Sequence, residues 1–556
     1  MVMAEGHAGE PGTTRSRGTT MNSMPRHRVV GPQLRRAIIP LCIAATFACR
    51  DDDRGTGVGR GSDGPVNQGP TLPPRTDGNP VLGREVFRFE TFGNERFFTD
   101  ALRLPAGMIA AGVTPRQLLA LGVNVDSDAL PAAIRTAIAA GSAAVLDDPA
   151  MTLAIINANA AVGLPIKDSN GNGVLDAAQG DKVGGTCAMC HTRTFDRAIF
   201  TVPGGGSVGP RSDGLATHNL DFGRLMALAT NSRALYPLLQ LSLAANGGNS
   251  LGRAPTGLVT TSSEAAVDAY LSNPAFYPRG MFDDTFDGNG DPMHNVPLFR
   301  QDLAAPFGSE GAIARLDNFS NLVYTGLLDP TNLTTSGGRA FLAKLGGPAG
   351  TEIANNYVQV LAATGVTGYP FVIAPPSAAA GTEDAPLGNR VDDTKLFAMN
   401  AYLAQLQAPP GAGADADGKR LFRTANCTSC HNVNQGRPVP TFIVPMATIF
   451  PGDSPVQLAT RMPPLNPVLN TVASIFDDKM AVVNASIRGD IRGTALPLLL
   501  DLATKPVFLH DNSVPSLELL LDPSRGATAP HPFYPAKAAD RAAIIRYLKG
   551  VGTNTP

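Results

Sequence analysis

At 556 residues the chain has room for roughly two to four domains and for a core large enough to enclose a cofactor. Its 45 Lys+Arg stand against 47 Asp+Glu, so no basic field favours nucleic acid or an anionic surface as partner. Tryptophan is absent, aromatics make up 6%, and 59 Gly with 47 Pro predict long irregular connections between modest helices.

Residues 1–20 are polar with no apolar period, and Met21 or Met24 makes a better start than Met1. A basic segment (Arg26, His27, Arg28, Arg35, Arg36) then precedes an apolar run at 37–48, the pattern of an export signal and too short to span a bilayer comfortably. The run ends in Thr46-Phe47-Ala48-Cys49, small before cysteine as in a bacterial lipoprotein cleavage box, although Thr46 and Phe47 depart from it. Residues 1–49 are therefore read as a signal segment of lipoprotein type. Cys49 would carry the acyl chains and tether an exported protein, periplasmic or on the outer membrane of a Gram-negative bacterium. An ordinary signal peptide releasing a soluble product is the alternative. Residues 50–80, rich in Asp, Gly and Pro, are expected to form a disordered linker.

Folded sequence is expected from about Gly83, with Phe87, Phe89, Phe92, Phe97 and Phe98 as a packing cluster rather than a binding box. Helical patterns follow at 115–121, 129–140 and 152–160. Asp168-Ser169-Asn170-Gly171-Asn172-Gly173, continuing to Asp176, resembles the first half of an EF-hand loop, but Gln179 stands where the bidentate glutamate belongs. Calcium there, or at the similar Asp287-Gly288-Asn289-Gly290-Asp291, competes with a plain Gly/Asn/Asp turn.

Cys187-Ala188-Met189-Cys190-His191 follows, and Cys427-Thr428-Ser429-Cys430-His431 repeats its pattern. In C-x-x-C-H two thiols at that spacing form thioethers to the vinyl groups of one haem, and the adjoining histidine ligates its iron. C-x-x-C also serves zinc and redox sites, yet histidine directly after the second cysteine, twice, favours two covalently bound haem c groups. Four of the six cysteines lie in these motifs and Cys42 and Cys49 lie in the leader, so no thiol pair is left for a structural disulfide.

Between the motifs, Gly204-Gly205-Gly206 and Pro210 mark a loop ahead of His218. Residues 298–325 mix Phe299, Phe307, Phe319 and Tyr324 with Arg300, Asp302, Glu310, Arg315 and Asp317, as a substrate pocket or a half-buried loop would. A helix at 392–407 ends at the linker Pro409-Pro410-Gly411-Ala412-Gly413, a short helix from Ala416 leads into Cys427, and 540–551 is amphipathic, with Ile544, Ile545, Leu548 and Val551 on one face. The expected fold is mainly α. It comprises two cytochrome c-like haem domains with long irregular loops: an enlarged N-terminal one at 81–408 and a smaller one at 409–556.

Two such motifs a domain apart resemble the bacterial di-haem cytochrome c peroxidase superfamily, which includes methylamine-dehydrogenase maturation enzymes and di-haem rubber oxygenases. Further support comes from Val86-Phe87-Arg88-Phe89-Glu90-Thr91-Phe92-Gly93, Gly418-Lys419-Arg420-Leu421-Phe422 and Phe508-Leu509-His510-Asp511-Asn512-Ser513-Val514. Asn512 stands where that family commonly has glycine, and asparagine tolerates the same left-handed backbone. His7 and His27 lie in the leader, and His191 and His431 are the proximal ligands. The resemblance implies His531 as sixth ligand of the second haem, ahead of Met446, Met462 or Met480, and His510 as a hydrogen-bond partner near that haem's edge. His218 and His294 receive no role from it. It also implies an oxidoreductase that reduces peroxide with electrons from a protein or small carrier. A dioxygen-dependent oxygenase cleaving an organic substrate, or a non-catalytic electron-transfer cytochrome, are the alternatives. The tryptophan that usually relays electrons in such peroxidases is missing here.

Overall fold

The computed structural model describes residues 75–248, 251–252, 257–283, 286, 288–290, 292–308, 313–375, 382–409, 411, 415–432, 444–445, 466–467, 481–482, 493–509, 512 and 514–552. All belong to the unit Gly59–Pro556. The leader with Cys42, Cys49, His7 and His27, most of the linker at 50–80, and His510, Met446, Met462, Met480, Asp287 and Asp291 lie outside the described residues.

The chain is mainly α, with strand pairs only two or three residues long. The helix Pro80–Phe89 starts slightly ahead of Gly83: the Asn79 side chain accepts from the amides of Val81 and Leu82, and Pro80 occupies the first turn, where a missing N–H costs nothing. It packs against Asp393–Gln405, itself capped by Asp392, with Gly83 so close to Ala398 that no side chain fits between them. Pro115–Ala120 opens with a reciprocal capping box between Thr114 and Gln117. Ala132–Ala139 and Pro149–Asn157 occupy the other two stretches of early helical pattern.

These short helices surround a large apolar cluster in which Leu118, Ile138, Ile155 and Leu225 meet Phe341, Ile353 and Tyr357 of Ser336–Ala363. That last element is two helices joined at Gly347, whose φ of 52° and ψ of −129° interrupt the helical path just before Pro348. Val125–Asp126 runs parallel to Ser207–Gly209, which pairs antiparallel with Phe200–Thr201 around the glycine-rich turn. Phe87, Phe97 and Phe98 are buried, as a packing cluster requires. Phe89 and Phe92 are half-buried, the first under the Arg211 guanidinium and the second edge-on to Tyr324.

In the C-terminal region Ala416–Thr424 and Ala538–Gly550 cross with Gly418 against Ala543 and Tyr547, a contact that any side chain at 418 would block. Phe422, Phe508, Ile544, Tyr547 and Leu548 form a second apolar cluster, which also takes in Leu215 and Phe299 from the preceding half of the chain. The Pro- and Gly-rich stretch before it is packed where it is described: Ala408 is buried and Gly411 abuts Gly550. No helix among the described residues is long and apolar enough to cross a membrane.

Candidate functional site

The first motif sits on one helical turn, Ala188–His191, with Cys187 as its cap. Three side contacts fix that turn. Asn94, fully buried, bonds both the N–H and the C=O of Gly185 at 2.9 Å, and the Thr186 hydroxyl donates to the Arg88 carbonyl at 3.2 Å. Gly163, at φ +80°, lies directly against the Met189 backbone, which leaves no space for a Cβ. After the motif, Thr192–Arg193 pairs with Ser212–Asp213, and Gly214 donates to the His191 carbonyl at 2.8 Å. The buried Asp213 carboxylate locks this pairing by accepting from Arg88 Nε at 2.6 Å, the Tyr402 hydroxyl at 2.5 Å and the Thr192 hydroxyl at 2.9 Å.

His191 Nδ1 lies 2.8 Å from the Val296 carbonyl oxygen. A carbonyl only accepts, so Nδ1 carries the proton and the lone pair is left on Nε2, the tautomer a metal-binding imidazole adopts. Desolvation holds His191 down to about 4 and pushes the Cys190 thiol up to about 12, with Cys187 also raised. Neutral imidazole is the form that ligates a metal ion. The fully buried Tyr324 places its hydroxyl 3.4 Å from Cys187 Sγ, so the stretch 298–325 does reach the motif. Its described charged members are paired: Arg300 forks onto Asp302, and Arg315 converges with Arg390, from outside the stretch, on buried Asp317, while Glu310 lies outside the described residues.

At the second motif Cys427–Ser429 is a tight turn, and the His431 N–H donates to the Cys427 carbonyl at 3.0 Å. The His431 ring faces His531 with centroids 6.3 Å apart and planes at 51°, while Phe422 closes another side at 6.3 Å and leads to Tyr547. Two metal–imidazole bonds of about 2 Å each, plus ring radii of roughly 1.1 Å, separate two axial imidazole centroids by about 6 Å, so the spacing fits one metal ion between them. Desolvation holds His431 down to about 4; desolvation, with the neighbouring His431 adding to it, holds His531 down to about 3. His531 has φ +56° between Pro530 and Pro532 and stacks edge-on against Phe533 at 5.1 Å. A left-handed histidine costs roughly 1 kcal/mol or more, the kind of strain found where a ring must point in one direction.

The four motif cysteines form no disulfide. Together the free thiol pairs, the neutral histidines and the His431–His531 gap suit a haem at each motif. His218 makes no ring approach to His191 of the kind His531 makes to His431. His218 and His294 lie beside the first motif instead: His218 feels the charges of Lys505, Arg193 and His191, and His294 Nε2 is 3.1 Å from Lys505 Nζ. Phe508 and Val514 pair across a turn in which Asn512 has φ +59°, the backbone expected of it; His510, inside that turn, is not described.

Around the calcium-like turn, Asp168 caps Gly171 and Gly173, and Gln179 bonds Asp176. Buried Asp181 accepts from Ser169, Asn170 and Asp176. The carboxylates are occupied by the turn's own amides, and no group of three or more His, Cys, Asp or Glu side chains suited to a metal ion occurs among the described residues.

Sequence reading missed Val296, Asp213, Arg193 and Lys505. A backbone carbonyl leaves no sequence signal, and the other three act through contacts between distant segments. No family model matches this chain, and no curated protein matches it. A solved structure of hydrazine synthase from Kuenenia stuttgartiensis, pressurised with xenon, is similar at a TM-score of 0.23 and 13% identity over 49% of this chain and 76% of that one, a likeness too low to carry any argument.

Proposed function

We propose that this chain is an exported di-haem c-type cytochrome with peroxidase-like oxidoreductase activity, the second motif holding the electron-transfer haem and the first the reactive one. The observation that carries the reading is the contrast between two pairs: the His431 and His531 rings lie 6.3 Å apart, a gap the width of one ligated metal, whereas His218, which feels the charge of His191, makes no such ring approach to it. Haem supplies redox-active iron at each motif. Cys187 and Cys190, and Cys427 and Cys430, hold the groups covalently. His191, oriented by its bond to Val296, and His431 provide the proximal nitrogens, and His531 closes the second site. Buried Tyr324 and Phe307 keep water from the Cys187 side of the first site. The overall reaction balances as hydrogen peroxide plus two electrons and two protons giving two waters, with electrons from a donor protein or small carrier. A lipid anchor at Cys49 would keep the protein near such donors.

The test is the addition of hydrogen peroxide to the half-reduced protein while the spin state of each haem is followed. Catalytic consumption with one low-spin haem and one that binds added ligands supports the proposal. Two low-spin haems that bind nothing, with at most stoichiometric consumption, would sink both the peroxidase and the oxygenase readings and leave an electron carrier. Cleavage of an organic substrate by dioxygen with no peroxide turnover would favour the oxygenase.

A further inference from the structure

Beside the first motif lie two half-buried cations for which the function above has no use. Arg193, two residues after His191, rests its guanidinium on the Phe195 ring at 4.2 Å. Lys505, from the far end of the chain, has its ammonium 5.6 Å from the Phe508 ring centre and 3.1 Å from His294 Nε2. Both act electrostatically on His218 and on buried Asp501, which places the four side chains Arg193, His218, His294 and Lys505 around one spot. His294 in turn is two residues from Val296, the acceptor of the His191 ring.

Carboxylates act on these cations only from a distance, Asp501 and Asp196 on Arg193 and Asp501 on Lys505, and among the described residues none touches either. Asp501 turns its carboxylate to the Thr504 hydroxyl at 2.6 Å, and among the described residues no carboxylate comes within ion-pair distance of Arg193 or Lys505. His218 Nδ1 is buried with no hydrogen-bond partner among the described residues. Aromatic faces and an imidazole nitrogen stabilise a cation much less than a carboxylate in direct contact does, and a desolvated cation lacking that contact is unfavourable. Desolvation accordingly lowers Lys505 to about 8, with Asp501 opposing the shift only in part.

We propose that Arg193 and Lys505, flanked by His218 and His294, form a carboxylate-binding pocket next to the first motif. Resting on the di-haem reading, its occupants are the propionate side chains of the haem held by Cys187 and Cys190. The same chemistry would accept the carboxylate of a small organic molecule.

The test compares wild-type holoprotein with Lys505→Met, Arg193→Gln and the charge-keeping Lys505→Arg. Haem content per chain is measured first; absence of haem in wild type defeats the di-haem reading, and calorimetry with acetate on that protein then still tests the pocket. With haem present, resonance Raman reads the propionate bending bands and a Soret titration reads acetate binding. A propionate band that shifts in Lys505→Met and Arg193→Gln but stays in Lys505→Arg identifies the haem as the source. Saturable acetate binding, weakened at least about tenfold in Lys505→Met with the band unmoved, identifies a free carboxylate. An unmoved band together with no Lys505-dependent acetate binding overturns the pocket.

Discussion

His531 concentrates the residue-scale argument. Its ring is kept neutral by desolvation down to about 3, against the ordinary 6.5, and on the proposed di-haem reading it must be neutral to donate a lone pair to iron. The sign follows directly: a folded value below the unfolded one means that falling pH drives protonation only after the solution is far more acidic than an exposed histidine would need, so ligation extends downward in pH. In a spectrophotometric acid titration the second haem should therefore remain low-spin to about pH 4, and His531→Gly should remove the low-spin band at neutral pH and regain it with added imidazole. Loss of the band near pH 6.5 in wild type, or an unchanged spectrum in the variant, would take His531 away from the iron. At this scale the sequence was most legible where chemistry demands a short local spacing: C-x-x-C-H could be read at sight, and Asn512 does adopt the left-handed backbone its position implied. Val296, Arg193 and Lys505 were not legible, because their roles come from segments brought together only by folding.

Elements show the same division. The helical pattern read at 115–121 lies where Pro115–Ala120 forms, and the structure adds local caps that the pattern did not include, Asn79-Pro80 and the Thr114 to Gln117 box. The strands left no such trace: each is two or three residues long, too short for an alternating pattern, and some pair with segments far away in sequence, as Val125 does with Val208. The pair that matters most joins Thr192–Arg193 to Ser212–Asp213, because it continues directly from His191. Asp213 holds it with three donors pointing at one buried carboxylate. Replacing that carboxylate by an amide in Asp213→Asn leaves Arg88 without its charge partner and turns an N–H₂ group toward other donors. Chemical denaturation should show a loss of about 3–5 kcal/mol, with the first haem's spectrum perturbed before the second's. A loss below about 1 kcal/mol would mean that water replaces the network.

At the scale of the whole molecule the question is whether the two motifs are supported independently. The Pro- and Gly-rich stretch at 409–413 reads as a linker between two domains, and Phe299 and Leu215, which precede it, are part of the apolar cluster that backs the second motif. Phe299 ties the two sites together physically. Leu298, its neighbour, donates to the Gly214 carbonyl at 2.8 Å, Gly214 donates to His191, and the Phe299 ring, 3% exposed, shares a cluster with Phe422, whose ring faces His431. Packing of this kind transmits a cavity in either direction, because close-packed side chains lose their contacts outright when a neighbour is removed. Phe299→Ala should thus destabilise the chain by about 3–5 kcal/mol and, although residue 299 adjoins the first motif, alter the reduction potential of both haems in a spectroelectrochemical titration. Leu119→Ala, buried in the large N-terminal cluster away from Phe422, is the control: it should cost about 2–5 kcal/mol while leaving the second potential in place. If Phe299→Ala moves only the first potential, the motifs rest on separate supports and the shared cluster is a surface of contact between two independently stable haem modules.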